Sequence, residues 1–431
     1  MKYDSFIFED YIFEKANKTL TLKYSFDDGL HFEEVYKFDF DFVEYNPEIL
    51  ERALQALFFM AGVSYFKVFP FASIEVKKGT IDKESAEFYS KTYENGLGEF
   101  FFVNNLDAHT KIPFPANSES LQSVTNSTSN HGLVVGVGGG KDSLVSIELL
   151  RPSAQDISTW SVGHRPQLSP LVERIGLTHY WVERIWDRQL LDINKQGGLN
   201  GHVPISAILA CAGSVVAVLT GKSDVIVSNE SSANEPTLEY MGLKINHQYS
   251  KSLEFETDYQ EYLSRTVGSS VRYYSLLRSF SEVAIAEMFA KVGFEKYFDV
   301  FSSCNRAFVH SSDHIYWDGT CPKCAFVFLA LTPFIERQKL EQLFDNKNLL
   351  LNPELKNTYL QLLGIEGNKP LECVGEIKET RAAMRLAQEI YPNLSEYVFD
   401  IPANYNFRTK SLDRVPEYLR STIESASELL E

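Results

Sequence analysis

Apolar and aromatic residues alternate with polar ones through much of the first hundred positions, in IFEDYIF, TLTLKYSF and YKFDFDF. A two-residue period puts one face of each run into a core, which predicts antiparallel strands. Over Pro47–Ala61 the spacing becomes helical. Between Phe114 and Asn130 the chain reads PANSESLQSVTNSTSN, rich in Ser and Asn and without apolar period, the composition of a linker. From Leu133 onward, short apolar runs alternate with amphipathic ones. Strands are predicted at Leu133–Val137, Ile157–Val162, His179–Glu183 and Asp224–Ser228, and helices at Leu168–Gly176 and Ile205–Thr220. That alternation predicts a doubly wound parallel sheet with helices on both faces. Beyond Pro333, LEQLF, LKNTYLQLLGI and TRAAMRLAQEI carry helical apolar spacing. The predicted class is α/β: a β-rich α+β region at 1–115, a linker at 116–131, a parallel-sheet domain at 132–332 and a helical region at 333–431. No internal repeat is visible.

The strand at Leu133 runs into Gly138-Gly139-Gly140-Lys141-Asp142-Ser143, and a helix opens at Asp142 and Ser143. Helix N-termini carry unpaired N–H groups and partial positive charge, and glycines let a phosphate reach the backbone. A GxxxxGK[ST] loop is excluded because Asp142 follows Lys141, and a GxGxxG fingerprint because Lys141 stands where its last glycine belongs. The six residues resemble the SGGxDS loop of the PP-loop ATP pyrophosphatases, with Gly138 in place of the leading serine. The resemblance implies an adenine-nucleotide α-hydrolase-like core that cleaves ATP to AMP and pyrophosphate. Gly138 removes one hydroxyl contact and leaves the backbone cradle. The plainer reading, a ligand-free turn, has no need of three glycines followed by Lys-Asp-Ser.

Charge changes the choice of partner. The 431 residues carry a formal net charge of −17, whereas gripping a nucleic-acid backbone needs a basic surface. A small-molecule acceptor is expected, and no nucleic acid. No apolar stretch reads as a membrane span, and Ile205–Leu219 reads as a buried helix. The start, MKYDSFIFEDYIFEKANK, lacks a basic residue cluster followed by an apolar run. Five cysteines, an odd number, suit a reducing compartment, so a cytoplasmic location is expected.

Further chemistry is expected where strands end. VIVSNESSANEP places Asn229, Glu230 and Asn234 after a strand, suited to magnesium or a polar substrate, or simply to a turn. His202 precedes an apolar helix as a base, a substrate contact or a helix-start residue. His247, Lys251 and Glu254 fall close together in INHQYSKSLEFE, which alone reads as a solvated segment. Cys304, Cys321 and Cys324 offer three thiolates, and Asp318, His310 or His314 could complete a zinc site; unmetallated core cysteines are the alternative. PP-loop enzymes that make a deazaguanine nitrile have a comparable four-cysteine arrangement, with Asp318 here in the place of the extra cysteine.

With LNGHVPISAI, VIVSNESSANE, INHQYSKSLEFE, YYSLLRSFSE, FSSCNRAF, CPKCAFVFLAL and KPLECVGE, the chain from about Leu133 to Ala383 resembles the UDP-N-acetylmuramoyl-L-alanyl-L-glutamate epimerases of bacterial peptidoglycan synthesis. The resemblance implies ATP-dependent inversion of the terminal L-Glu of a UDP-linked muramoyl dipeptide through an acyl-adenylate, with ATP and magnesium. It implies Gly138, Gly139, Gly140, Lys141, Asp142 and Ser143 on the phosphates, Lys141 and Asp142 also acting in catalysis. Asn229, Glu230, Asn234, Arg278 and Arg306 are candidate substrate contacts, the arginines being equally suited to ion pairs. Cys304, Cys373, His202 and His247 have the chemistry to exchange an α-proton near neutral pH. A ligase that passes the adenylate to an amine, forming an amide or nitrile, and a non-catalytic ATP sensor are the competing expectations.

Overall fold

The computed structural model describes residues 3–27, 29–121, 124, 131–153, 155–308 and 314–431. Part of the expected linker, and His310, lie outside the described residues. In chain order the strands are β1 (Ser5–Glu14), β2 (Thr19–Phe26), β3 (Leu30–Asp39), β4 (Ser73–Val76), β5 (Leu133–Gly136), β6 (Ile157–Val162), β7 (His179–Ile185) and β8 (Asp224–Val227). A small hairpin, β9 (Leu238–Tyr240) and β10 (Leu243–Ile245), precedes β11 (Arg272–Ser275). Among the described residues nine of these form one sheet, ordered β11-β8-β5-β6-β7-β3-β2-β1-β4. The first five run parallel. β7 then pairs antiparallel with β3, Val182 opposite Phe38, so the N-terminal meander extends the parallel sheet.

Side chains alternate across the sheet and feed two cores. Leu133 and Val135 of β5, Ile226 of β8 and Tyr274 of β11 pack with the helices Lys141–Leu150, Glu282–Val292 and Pro322–Leu331. Val134, Val225 and Tyr273 face the other way, toward Pro47–Ala61, Ile205–Thr220 and Leu253–Thr266. A strand covered on both faces must be apolar at successive positions, which is why β5 reads LVVG without alternation. β2 shows the half-covered pattern in its first half, with Leu20 and Leu22 buried between more exposed neighbours.

The predicted helix Pro47–Ala61 is present with those bounds; Pro47 sits at its first turn and the Asn46 side chain accepts from the Glu48 amide at 2.9 Å. The turn Val63–Phe66 follows directly, and Pro47–Phe66 is, contrary to expectation, an apolar helical run of 20 residues, enough to cross a membrane by length. Its most apolar window is 89% buried within the protein. It packs against Ile205–Thr220, itself apolar on nearly all sides and stopped by Gly221 at φ +69°. Both belong to the protein core. The C-terminal region is helical as expected: Lys356–Leu362 and Ile377–Ile390 pack on Pro322–Leu331, Arg420–Glu428 packs on Lys141–Leu150, and Arg337–Leu343 completes the set.

Candidate active site

In the parallel half of the sheet the chain steps outward from β5 to β6 and β7, then returns to β8 on its other side. Such a reversal leaves a crevice at the carboxyl ends of the two central strands. A cavity of about 360 Å³ lies there, walled by Gly136–Gly138, Gly140, Asp142 and Ser143 after β5 and by Ser228, Asn229 and Glu230 after β8. A larger cleft of about 830 Å³ lies beside the β9–β10 hairpin, lined by Gly98, Asn234 and Asn246, without the glycine loop.

The glycine loop is shaped to present backbone to this cavity. Gly139 has φ +96°, and a Cβ there would lie 2.6 Å from Phe308 Cζ and 3.0 Å from the Ser302 carbonyl oxygen. The Ser302 amide donates to the Gly139 carbonyl at 2.9 Å, pinning the loop from behind. A Cβ on Gly138 would meet nothing within 4 Å. Gly140 is the N-cap of Lys141–Leu150 and supplies no side-chain cap, so the first-turn amides remain available to an anion.

Behind the loop lies a buried charge network. The Lys141 ammonium, 2% exposed, contacts the Asp142 and Glu282 carboxylates. Lys323 reaches the same Glu282 at 3.2 Å and donates to the Cys373 carbonyl. Burial opposes charge on Glu282, yet the two ammoniums hold its carboxyl well below the usual carboxylate range. The network fixes Asp142 on one wall of the cavity and Cys373 on another, with Lys141 buried behind the lining.

Opposite them Glu230 is buried, which pushes its pKa up, and its Oε1 has no hydrogen-bond partner among the described residues. With Asp142 it offers hard oxygen donors on the cavity wall, a donor set that fits magnesium. Arg278 is fully buried. Its Nε and Nη2 bond Glu256 at 3.0 and 2.9 Å, Nη1 donates to the Glu230 carbonyl at 2.6 Å, and Nη2 also reaches the Lys251 carbonyl. It therefore ties the turn after β8 to the segment carrying Lys251. Asn229 and Glu230 line the cavity, whereas Asn234 lies in the wall of the larger cleft, its Oδ1 accepting from the Leu253 amide at 2.7 Å.

Cys373 also lines the cavity. Lys251 Nζ lies 3.2 Å from its sulfur, and the nearby His247 imidazole also favours its thiolate form. His247 Nδ1 in turn contacts the carboxylate of Glu99, from the helix Gly98–Val103 in the N-terminal region. His202 Nδ1 lies 3.7 Å from that carboxylate, and the two imidazole rings are 4.6 Å apart. Burial would raise the Cys373 pKa, but Lys251 and His247 outweigh it and bring it to about 7. Burial would lower His247, but Cys373 and Glu99 raise it to about 9. Burial and the neighbouring His247 push His202 down to about 4. His247 is thus the charged member of the pair.

The ligand atoms of Cys304, Asp318, Cys321 and Cys324 all lie within 4.8 Å of one another. Asp318 Oδ1 is 3.2 Å from Cys324 Sγ and 3.5 Å from Cys304 Sγ, and the Cys321 sulfur caps its helix by accepting from the Cys324 amide at 3.4 Å. This group could hold a metal. Arg306, exposed, bonds Asp318 at 2.9 Å and Thr320 at 2.6 Å, at this cluster rather than over the glycine loop. The segment from Ser302 to Phe308 links the two, packing on Gly139 while Cys304 joins the cluster.

The structure thus gathers Gly138, Gly140, Asp142, Ser143, Asn229, Glu230 and Cys373 at one cavity and sets Asn234, Arg278, Arg306 and the Cys304 group apart from it. Glu99, Glu282 and Lys323 carry no motif of their own. Lys323 sits inside the CPKC segment, a position that could have drawn attention to it.

Residues 1–276 match the model of the MurL N-terminal domain, and residues 300–399 that of the MurL C-terminal domain. The chain is 38% identical over 369 residues to the UDP-N-acetyl-alpha-D-muramoyl-L-alanyl-L-glutamate epimerase of Xanthomonas oryzae pv. oryzae, covering 84% of this chain and 81% of that one. Proteins of the same name from Salinispora tropica and a Micromonospora species are 35% and 37% identical, covering 90% and 79% of this chain and 86% and 75% of theirs.

Proposed function

This chain belongs to the MurL family of amino-acid epimerases in peptidoglycan synthesis, and from that premise we propose that its cavity inverts the terminal L-Glu of UDP-MurNAc-L-Ala-L-Glu by way of an acyl-adenylate. The observation that carries the reading is a shared cavity: the uncapped glycine loop and an ionisable thiol, Cys373, open onto the same space. One half of the chemistry needs each.

The α-proton beside a carboxylate is very weakly acidic, because removing it would put two negative charges side by side. Joining that carboxylate to the α-phosphate of ATP, with pyrophosphate leaving, gives a mixed anhydride whose acyl group carries no charge and whose enolate the site can support. The first-turn amides of Lys141–Leu150 receive the phosphates, and backbone donors stabilise the departing pyrophosphate without reorganising. Magnesium held by Asp142 and Glu230 would neutralise triphosphate charge. Lys141 stays locked to Asp142 and Glu282, and so orients the loop. Zinc held by Cys304, Asp318, Cys321 and Cys324 would brace the segment that packs behind Gly139. After deprotonation, a proton arriving at the opposite face inverts the centre, and hydrolysis releases AMP and the D-Glu product.

In this reading a PP-loop core at 132–332 handles ATP, while Glu99 comes from 1–115 and Cys373 from 333–431. In the same reading the reaction uses ATP and a UDP-linked small molecule in the cytoplasm, and the net charge of −17 disfavours a nucleic-acid partner. The test is turnover of UDP-MurNAc-L-Ala-L-Glu with ATP and magnesium in deuterated water. The expected products are AMP, pyrophosphate and a D-Glu terminus carrying one deuterium at Cα. Release of ADP, or adenylation without deuterium at Cα, refutes the reading; the latter result is that of a ligase.

A further inference from the structure

Five charged or ionisable side chains converge where the N-terminal region, the Asn246–Lys251 segment and the loop at Cys373 meet. Lys251 Nζ lies 3.2 Å from Cys373 Sγ, and the Lys323 ammonium binds the Cys373 carbonyl. His247 favours the thiolate form of the same sulfur and contacts the Glu99 carboxylate. Cys373 lines the cavity that holds the glycine loop. A structural cysteine has no use for two ammoniums and an imidazole; a buried thiolate does.

Resting on the epimerase reading above, we propose that Cys373 is the catalytic base that removes the glutamate α-proton, and that Glu99 is a positioning residue holding His247 as the imidazolium that keeps Cys373 ionised. In the step the Cα–H bond breaks, its electron pair stays on the acyl-adenylate as an enolate, and the proton passes to Cys373 Sγ, leaving a neutral thiol. A proton of solvent origin then reaches the opposite face, and the thiol returns its own proton to solvent. Protonation of the thiolate weakens its attraction to Lys251 and His247, and proton loss restores it. Each turnover thus resets the site.

The groups facing the pair set the sign of its pH dependence. Lys251 and Lys323 favour the thiolate, while the Glu230 carboxyl lies near Lys251 and the Glu372 carboxyl adjoins Cys373 in the chain. Around His247, Glu99 favours the cation and the uncharged His202 adds no competing charge. The thiol ionises as pH rises through about 7, and the imidazolium is lost as pH rises through about 9. The working pair therefore exists between those values.

The experiment follows three readouts on the intact protein with ATP, magnesium and the UDP-linked dipeptide: ATP–pyrophosphate exchange, deuterium entry at Cα, and the pH profile of Cys373 alkylation by iodoacetamide, resolved by peptide mass spectrometry. Wild type should alkylate with a midpoint near 7. C373A should lose deuterium entry by at least a hundredfold while pyrophosphate exchange persists, and C373S should fall between. E99Q should move the alkylation midpoint up by a unit or more and lower kcat with little change in the KM for ATP. A merely structural Glu99 would leave the midpoint where it is. Deuterium entry in C373A within a few-fold of wild type overturns the base assignment. Loss of exchange along with deuterium entry in both C373A and C373S overturns it too, placing Cys373 in activation. An unshifted midpoint in E99Q overturns the positioning role. Wild type that adenylates nothing would instead fail the epimerase reading itself.

Discussion

Neighbouring glycines in the phosphate loop should respond to substitution in opposite ways. Alanine at Gly139 must adopt φ +96°, a left-handed conformation that costs an L-residue ~1–2 kcal/mol. Its Cβ would press 2.6 Å from the Phe308 ring and 3.0 Å from the Ser302 carbonyl. The ring can swing, but the backbone can retreat only by giving up the 2.9 Å bond from the Ser302 amide to Gly139, worth ~0.5–1.5 kcal/mol. Together the loss is roughly 1.5–3.5 kcal/mol. With a urea dependence of ~3 kcal/mol/M, the unfolding midpoint of G139A should drop by ~1 M. G138S has no such obstacle, since its Cβ meets nothing within 4 Å, and its stability should stay within ~0.5 kcal/mol of wild type. The new hydroxyl faces the cavity, and one added hydrogen bond of ~1 kcal/mol should lower the KM for ATP about fivefold. Urea unfolding followed by circular dichroism, with ATP–pyrophosphate exchange at varied ATP, measures both. Equal destabilisation of the two variants, or a folded G138S that no longer exchanges pyrophosphate, would refute the geometry.

E282Q removes the carboxylate shared by Lys141 and Lys323 and leaves two buried ammoniums facing each other, so it should cost ~3–5 kcal/mol by chemical denaturation. The wild-type carboxyl is depressed by those ammoniums, so its stabilising contribution is full above the ordinary carboxylate range and lost as pH falls below it. In E282Q that segment of the acid-unfolding curve should flatten, and an unchanged curve would show the network to be energetically idle. For the Cys304 group, the purified protein should carry one zinc per chain by elemental analysis, C324S should lose it, and protease should then cut first between Ser302 and Thr320. Zinc-free wild type with the same cleavage pattern would show that the cluster packs without metal.

Patterns with local causes were legible in the sequence. β5 and the glycine loop announce themselves because a doubly covered strand, a left-handed turn and an uncapped helix start each constrain residues close together in the chain. Pro47–Ala61 was readable for the same reason, with its cap and first-turn proline adjacent. The charge network was not. Glu282 meets Lys141 across 141 positions, and Glu99 meets His247 across 148; each alone reads as an ordinary surface residue. His247 and Lys251 stood out only as a polar cluster, because what gives them purpose is a cysteine more than a hundred positions later. The continuation of the parallel sheet into the N-terminal meander was equally hidden, since alternation in β3 predicts a strand but does not say which strand lies beside it.

That continuation bears on how substrates enter. Five residues of β3, Val35 to Asp39, are zipped to β7, which only β6 separates from the cavity strand β5 in the same sheet. Two bodies joined by a shared ladder cannot hinge apart without breaking it, so entry and exit fall to the connecting loops rather than to jaws. The same seam makes the halves inseparable as fragments. Cutting away the N-terminal region would strip Glu99 from the site and bare the β7 edge, with its row of unpaired backbone groups open to any passing strand.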